Sequence, residues 1–198
     1  MRDFKDKGYS LVETVIVLVM IVILSVISLV SVTIINTARA KQASTLFGDE
    51  VNTCRKRCMS MSPAEDPSHA GKKTSYGLAL YYEGNNFSAA QVECYNDGGY
   101  KYVLSGSDVK VNDNAEMSSR VNIKFTGYYK SFKDLSDNGG SVRTDFTPGS
   151  LNNPNAVCIM FDKHGNCTSG YGKYEFFKKD GNKVATVTVR QNGSIEIK

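Results

Sequence analysis

The stretch from Tyr9 to Ile35 reads YSLVETVIVLVMIVILSVISLVSVTII and contains neither Gly nor Pro. No charged residue occurs between Glu13 and Arg39. About 20 consecutive apolar residues in a helix cross the hydrocarbon core of a bilayer, and this stretch is longer than that. Lipid also forces a backbone to satisfy its own hydrogen bonds, which favours a helix despite the many β-branched residues. The pattern predicts a membrane-spanning helix over residues 9–35.

Two features at the start of this stretch indicate more than a plain anchor. Glu13 places a carboxylate within the apolar run, where an unpaired charge costs roughly 2.5–3.5 kcal/mol. The preceding leader, MRDFKDKG, is polar and ends in Lys7-Gly8. A secretory signal has its apolar core before the cleavage site. A cut after Gly8 would instead leave the whole apolar run on the mature protein.

The residues from Lys7 to Glu13 resemble the class III signal of type IV prepilins and pseudopilins. In that signal a basic leader ends in Gly, and Glu is the fifth residue of the mature chain, as Glu13 is here. The resemblance implies cleavage after Gly8 by a prepilin peptidase that also N-methylates Tyr9. It further implies that Glu13 pairs with the α-amine of Tyr9 from a neighbouring subunit and so sets the register of assembly. Many pilins carry a Pro deep in this helix, and this chain has none.

The same resemblance implies partners and a location. The partners would be other pilin or pseudopilin subunits, an inner platform protein and an assembly ATPase. Arg2, Lys5 and Lys7 favour a cytoplasmic leader, since orientation follows Lys and Arg. The precursor would therefore be a single-pass protein of the cytoplasmic membrane with its head outside the cytoplasm. After assembly it would lie in an extracellular or cell-surface filament.

Residues 36–62 predict a continuation of the helix in amphipathic form. Apolar residues recur at spacings of three and four along one face; they are Ala43, Phe47, Val51, Cys54, Cys58 and Met61. Such a stripe needs a cover, and a β-sheet that follows in sequence provides one. We expect an α+β fold in which this helix packs on an antiparallel β-sheet head of residues 74–198, with residues 1–8 removed as a leader.

The head sequence alternates strand and turn patterns, and its polar composition suits a sheet with one face in water. Strands are predicted at 76–82, 87–95, 100–104, 121–125, 156–161 and 174–177, and in a final hairpin of 185–189 and 195–197 around Asn192-Gly193. This ending is similar to that of H-type minor pseudopilins. Residues 133–155 are rich in Asp, Asn, Gly, Ser and Pro and predict a long loop.

Five cysteines occur, at Cys54, Cys58, Cys94, Cys158 and Cys167. In an oxidising compartment some would pair, and the odd number leaves at least one over. We expect a bond from Cys54 or Cys58 to a cysteine of the β domain, because the helix stripe should face the sheet. Cys158–Cys167 is the main competing pair. The alternative is that the two helix cysteines are simply core residues.

Other candidate sites are weaker. His69 and His164 lie in loop sequences without the partners of a catalytic triad, so we expect no enzyme activity, and no motif indicates a cofactor. Asp134, Asp137 and Asn138 could bind Ca²⁺, but their spacing does not match an EF-hand, and we expect no metal site. A basic segment, Arg55-Lys56-Arg57, could contact DNA phosphates together with Arg39 and Lys41. The weakly charged end at residues 192–198 disfavours DNA binding.

These patterns favour a structural subunit of a filament of the type IV pilus or type II secretion pseudopilus kind. The rival hypothesis is a signal-anchored or secreted surface protein that binds a ligand or DNA. In that case Ala38-Arg39-Ala40 would be a signal-peptidase site, and the mature chain would begin at Lys41, or at Met1 if the apolar run stays as an anchor. The length of the apolar run argues against this rival. The first residue of the mature protein distinguishes the two hypotheses.

Overall fold

The structure is a computed structural model that describes residues 10–60, 74–95, 100–102, 115–130, 140–150 and 156–198. Two compact units are present, Met1–Asn36 and Thr37–Lys198. Helix α1 runs over Leu11–Ser60. The strands are β1 Thr74–Glu83, β2 Asn86–Tyr95, β3 Tyr100–Tyr102, β4 Ala115–Glu116, β5 Val121–Tyr129, β6 Ser141–Phe146, β7 Val157–Phe161, β8 Cys167–Ser169, β9 Tyr171–Lys178, β10 Lys183–Val189 and β11 Ile195–Ile197.

The strands form two antiparallel sheets. The first, sheet A, has the order β3-β2-β1-β7-β8, and β4 also pairs with β2. The second, sheet B, has the order β11-β10-β9-β5-β6. Each pairing is antiparallel, from the long β1–β2 hairpin to the short final hairpin. The predicted α+β fold class is therefore confirmed, with two sheets in the head.

The helix residues from Ala40 to Cys54 form the centre of the core in the second unit. Ala40 and four residues of the predicted stripe are at most 3% exposed: Ala43, Phe47, Val51 and Cys54. They pack in one cluster with residues of both sheets, such as Ile159 of β7 and Phe176 of β9. The ring of Phe47 lies 4.6 Å from that of Tyr174 and 5.8 Å from that of Phe176, between ring centroids. The predicted stripe is confirmed up to Cys58, which is half-buried, and Met61 lies outside the described residues.

Gly48 allows the final strand to approach this helix closely. A glycine inside a helix costs about 1 kcal/mol relative to alanine. Here a Cβ on Gly48 would lie only 2.6 Å from Cδ1 of Ile197 in β11. The missing side chain thus makes room for the edge strand of sheet B.

The part of sheet A formed by β1, β2 and β7 has buried residues on both faces, which differs from the expectation of a sheet with one face in water. A second core cluster contains Ala79, Tyr81, Ala90, Val92, Ala156 and Cys158. These residues alternate along β1, β2 and β7 with residues of the main core, such as Leu78 and Leu80, so they lie on the opposite face. The continuous apolar sequence of residues 156–161 is explained by this double burial.

The strand predictions at 76–82, 87–95, 121–125, 156–161, 185–189 and 195–197 are confirmed. The loop prediction for residues 133–155 is wrong for its middle part, because β6 lies there and pairs with β5. All residues of β6 except Phe146 are exposed, so it has none of the apolar alternation that marks a half-buried strand. Strand β9 begins at Tyr171 rather than Tyr174, and β8 was not predicted. Residues 96–99, 103–104 and 131–139 lie outside the described residues.

Candidate functional site

The N-terminus of α1 has the hydrogen bonds of a capping box. Ser10 precedes the first helical residue, and its Oγ accepts a hydrogen bond from the N–H of Val12 at 3.3 Å. The carboxylate of Glu13 accepts one from the N–H of Ser10, also at 3.3 Å. Two of the backbone donors that a helix leaves without partners at its start are satisfied in this way. Glu13 therefore has an intramolecular role, whereas the sequence interpretation assigned it only an intermolecular one.

The spacing Ser10-x-x-Glu13 before an apolar run is itself the sequence signature of a capping box. That signal was present in the sequence and was missed. Gly8 and Tyr9, which the predicted cleavage and methylation involve, lie outside the described residues.

The segment of α1 that follows Glu13 exposes apolar side chains in every direction. Exposure ranges from 63% at Leu24 to 45% at Ile35 among its exposed large hydrophobic residues. The helix is long and apolar enough to cross a membrane, by length and composition alone. Soluble proteins rarely expose contiguous apolar surface of such extent. This surface is compatible with lipid or other apolar helices around it.

The serines in this segment do not interrupt its apolar character. The hydroxyl groups of Ser25, Ser28 and Ser31 each donate to the carbonyl oxygen four residues earlier, at 2.7, 2.9 and 2.9 Å. A hydroxyl without a partner in an apolar medium costs several kcal/mol. Because these hydroxyls are satisfied within the helix, they can face lipid or a packed helix.

The basic segment Arg55-Lys56-Arg57 is partly used for packing within the head. Arg55 donates from Nε to the carbonyl oxygen of Gly165 at 3.0 Å. The guanidinium of Arg57 lies over the ring of Tyr76, 4.8 Å from its centroid. Lys56, Arg39 and Lys41 are exposed. Two of the three cations in the segment thus have an intramolecular contact.

The described cysteine side chains fall into two groups. Cys54, Cys58 and Cys167 belong to or pack against the main core, which contains the helix. Cys158 lies in the second cluster, on the other face of sheet A. All four are thiols in this structure. The backbone of Cys94 lies in β2 opposite Ser75. The disulfide prediction stays a prediction.

A surface cavity and the titratable groups of one turn bear on the catalytic and metal-binding predictions. A surface cavity of about 360 Å³ has Tyr82, Phe87, Arg120 and Lys179 in its lining, with neither a carboxylate, a thiol nor an imidazole among its lining residues. No group of three or more His, Cys, Asp or Glu side chains is arranged to hold a metal ion in the described segments. His164 is exposed in the β7–β8 turn, where its backbone N–H donates to the carboxylate of Asp162 at 2.9 Å. His69, Asp134, Asp137 and Asn138 lie outside the described residues.

No protein-family model and no curated protein matches the sequence. A solved structure that overlaps with this one is the crystal structure of the minor pseudopilin EPSH from the type II secretion system of Vibrio cholerae. The two chains are 11% identical, with a TM-score of 0.46, and the overlap covers 81% of this chain and 94% of that one.

Proposed function

We propose that this chain is a structural subunit of a filament of the type IV pilus or type II secretion pseudopilus kind. The observation that carries the proposal is the exposed apolar surface of residues 14–35, which follows Glu13 in the first turn of the helix. Such a surface is stable in a bilayer or among equivalent helices of neighbouring subunits. A filament subunit needs both environments in succession, first as a membrane precursor and then in the filament core.

The processing that we propose follows from the residues before the helix. A prepilin peptidase removes residues 1–8 and methylates the new α-amine of Tyr9. The head, residues 74–198, lies outside the cytoplasm in the precursor and on the outside of the filament after assembly. An inner platform protein and an ATPase supply the work of extraction, and the role of this chain is structural rather than catalytic.

The capping box indicates how Glu13 is accommodated before assembly. A carboxylate close to the apolar core is costly unless it has a partner, and the N–H of Ser10 provides one within the same chain. In the filament the α-amine of a neighbouring Tyr9 would provide a second, charged partner. We infer that Glu13 keeps its cap while it gains the ion pair, because a carboxylate accepts several hydrogen bonds.

The first test is the mass of the intact protein extracted from membranes. The proposal requires a chain that starts at N-methylated Tyr9. A chain that starts at Met1 or Lys41 would exclude it. A start at Met1 would support the signal-anchored form of the rival, and a start at Lys41 its secreted form.

The second test separates the charge of Glu13 from its cap. We expect Glu13→Ala to be inserted and cleaved normally but to enter filaments at least 10-fold less, because the amine of its neighbour would be buried without a counter-charge. Glu13→Gln keeps an acceptor for Ser10 but has no charge, and it should fail in the same way. Glu13→Asp should be intermediate, because its carboxylate has a shorter reach.

The matched control is Ser10→Ala. It removes the hydroxyl half of the capping box and keeps the carboxylate, so we expect nearly normal incorporation after cleavage has been checked. The readout is the ratio of precursor, mature membrane pool and sheared filament for each variant. Normal incorporation of Glu13→Gln would show that the charge makes no assembly contact.

A further inference from the structure

Three thiols come together where the last turns of α1 lie over sheet A. Cys54 and Cys58 are four residues apart on the same face of the helix, and the Cys54 thiol donates a hydrogen bond to the Cys58 sulfur. Cys167 of β8 is 1% exposed and lies in the same core, near enough for Cys58 to affect its ionisation. The proposed filament role uses none of these groups.

The Cys58 sulfur occupies the point where β1 and β7 separate. The register of these strands runs from Leu80↔Val157 to Gly77↔Met160. At the next step along the two strands, the Cys58 thiol donates to the carbonyl oxygen of Tyr76 at 3.3 Å. The N–H of Phe161 donates to the same sulfur. The Cys58 sulfur thus lies between the backbones of Tyr76 and Phe161, the next residues beyond the last register pair of β1 and β7.

This position places Cys58 beside Cys167. Phe161 and Cys167 are register partners on β7 and β8, and paired residues on antiparallel strands have Cα atoms about 5 Å apart. The side chains of Phe161 and Cys167 both enter the core that contains the helix. Because the Cys58 sulfur accepts a hydrogen bond from the backbone of Phe161, it is close to Cys167 on the adjacent strand.

Three of the other pairings are disfavoured by geometry: Cys54–Cys58, Cys54–Cys158 and Cys58–Cys158. Residues four apart on a helix have Cβ atoms about 5–6 Å apart, whereas a disulfide needs about 3.5–4.5 Å, so Cys54 and Cys58 cannot bond while the helix is intact. Cys158 lies on the opposite face of sheet A from Cys54 and Cys58. Arg55 further fixes the contact, because it binds Gly165 in the turn just before Cys167.

The two thiols differ in reactivity. The hydrogen bond from Cys54 lowers the pKa of Cys58, and the N–H of Phe161 and the charge of Arg57 act in the same direction. Burial raises the pKa of Cys167 to about 12, and the neighbouring Cys58 contributes. Cys58 is also half-exposed, whereas Cys167 is buried. Because the thiolate is the nucleophile, Cys58 should react first with an external reagent.

We propose that Cys58 and Cys167 form a redox modification site that bonds the last turns of α1 to β8 by exchange with an external disulfide, such as a small disulfide or that of a thioredoxin-like oxidase. The Cys58 thiolate attacks one sulfur of the reagent, and one reagent thiolate leaves. Cys167 then loses its proton to solvent and attacks the Cys58 sulfur, which releases the second reagent thiol. The protein loses two electrons and two protons, and the reagent disulfide is reduced to two thiols.

The bond would connect residues more than 100 positions apart in the sequence, because it joins the helix to the second half of the head. A crosslink over such a long loop restricts the unfolded chain strongly. It would hold the last turns of α1 on the sheet. The site does not depend on the filament proposal, because Cys58 and Cys167 are present whether or not the chain assembles into a filament.

The test uses the reduced full-length protein in detergent micelles, treated with oxidised glutathione and digested with trypsin without reduction. Lysine and arginine residues between the cysteines place all five on separate tryptic peptides, so each pair can be identified. We expect a linked pair of Cys58 and Cys167, a mass about 2 Da lower, and a melting temperature about 5–15 °C higher. A link from Cys167 to Cys54, Cys94 or Cys158, or no link, would overturn the proposal.

Variants test the order of attack. In Cys167→Ala, the glutathione adduct should remain on Cys58. In Cys58→Ala, uptake of glutathione should fall at least 10-fold, and the melting temperature of the reduced variant checks that it folds. Cys54→Ala is the matched control, because it removes the hydrogen bond to Cys58 and keeps both bonding partners; the same link should form more slowly. An adduct that forms mainly on Cys167 in the folded protein would contradict the proposal.

Discussion

Residues 11–35 and residues 37–60 belong to one continuous helix but use their apolar side chains in different ways. The first segment exposes large hydrophobic residues in every direction. The second has one apolar stripe, and Phe47, Val51 and Cys54 on it are fully buried in the head. The difference shows that the arrangement of apolar residues around a helix, rather than their number, decides what the helix packs against. An all-round apolar helix requires an apolar medium, whereas a striped helix requires a partner in its own chain.

The largest effect that we expect comes from removing a side chain of the buried stripe. Phe47→Ala should lower the free energy of unfolding of the head by about 3–5 kcal/mol, because the ring packs against Tyr174 and Phe176 and would leave a cavity. Denaturant unfolding in micelles, followed by near-ultraviolet circular dichroism, measures this change. The matched control is Ile23→Ala in the exposed segment, which should leave unfolding of the head unchanged. Equal effects of both variants would remove the distinction between the segments.

An added charge should affect the first segment and leave the second unaffected, which is the reverse of the effect expected from the alanine variants. Ile23→Lys should disfavour membrane insertion by about 2.5–3.5 kcal/mol, since Ile23 lies deep in the apolar run. Thr45→Lys, on an exposed face of the second segment, should insert normally and leave the head stable. An insertion assay that compares the membrane and soluble fractions gives the result. Full insertion of Ile23→Lys would argue against a membrane-spanning role for residues 11–35.

Polar contacts of the helix should have smaller and unequal effects. The amide of Gln91 donates to the carbonyl oxygen and to the carboxylate of Glu50, both at 3.1 Å, and so joins β2 to the helix. Gln91→Ala should therefore cost about 1–2 kcal/mol of head stability. Ser28→Ala, in the first segment, removes only a bond to its own helix and should change neither insertion nor stability measurably. Thermal unfolding of the two variants against the parent tests the contrast.

The smallest effect concerns acid. The side-chain amide of Asn166, together with the N–H groups of Asn166 and His164, lowers the pKa of Asp162. Because its folded pKa lies below the unfolded value, Asp162 stabilises the head above the unfolded pKa, and this contribution is lost as the pH falls through the folded pKa. Stability of Asp162→Asn should thus vary less with pH below about pH 5 than that of the parent. An identical pH profile would show that the Asp162 turn contributes nothing measurable.

Several features could be predicted from the sequence because they depend on local pattern. The apolar run can be recognised without tertiary information, because a helix of about 25 uncharged residues suits an apolar environment better than water. The stripe of the second segment follows from the spacing of Phe47, Val51 and Cys54. The strands with alternating or continuous apolar residues, such as β5 and β7, were found for the same reason. The capping box of Ser10 and Glu13 is equally local, and it was overlooked rather than hidden.

Other features depend on how distant segments meet. Strand β6 has the composition of a loop, and only pairing with β5 makes it a strand. The burial of both faces of sheet A depends on which segments cover it, which periodicity in one strand does not reveal. The convergence of Cys58 with Cys167 depends on the end of β1–β7 pairing at Gly77↔Met160 and on the alignment of β8 with β7.

The sequence alone thus determined that an apolar helix with Glu13 in its first turn lies near the N-terminus, and that a striped helix and a β-rich head follow. Local patterns encode these features, since burial and hydrogen bonding repeat with the period of each element. Only the tertiary structure decided that the head has two sheets around the helix, and which cysteine lies beside which. Contacts between residues more than 100 positions apart depend on packing and register, and no local spacing records them.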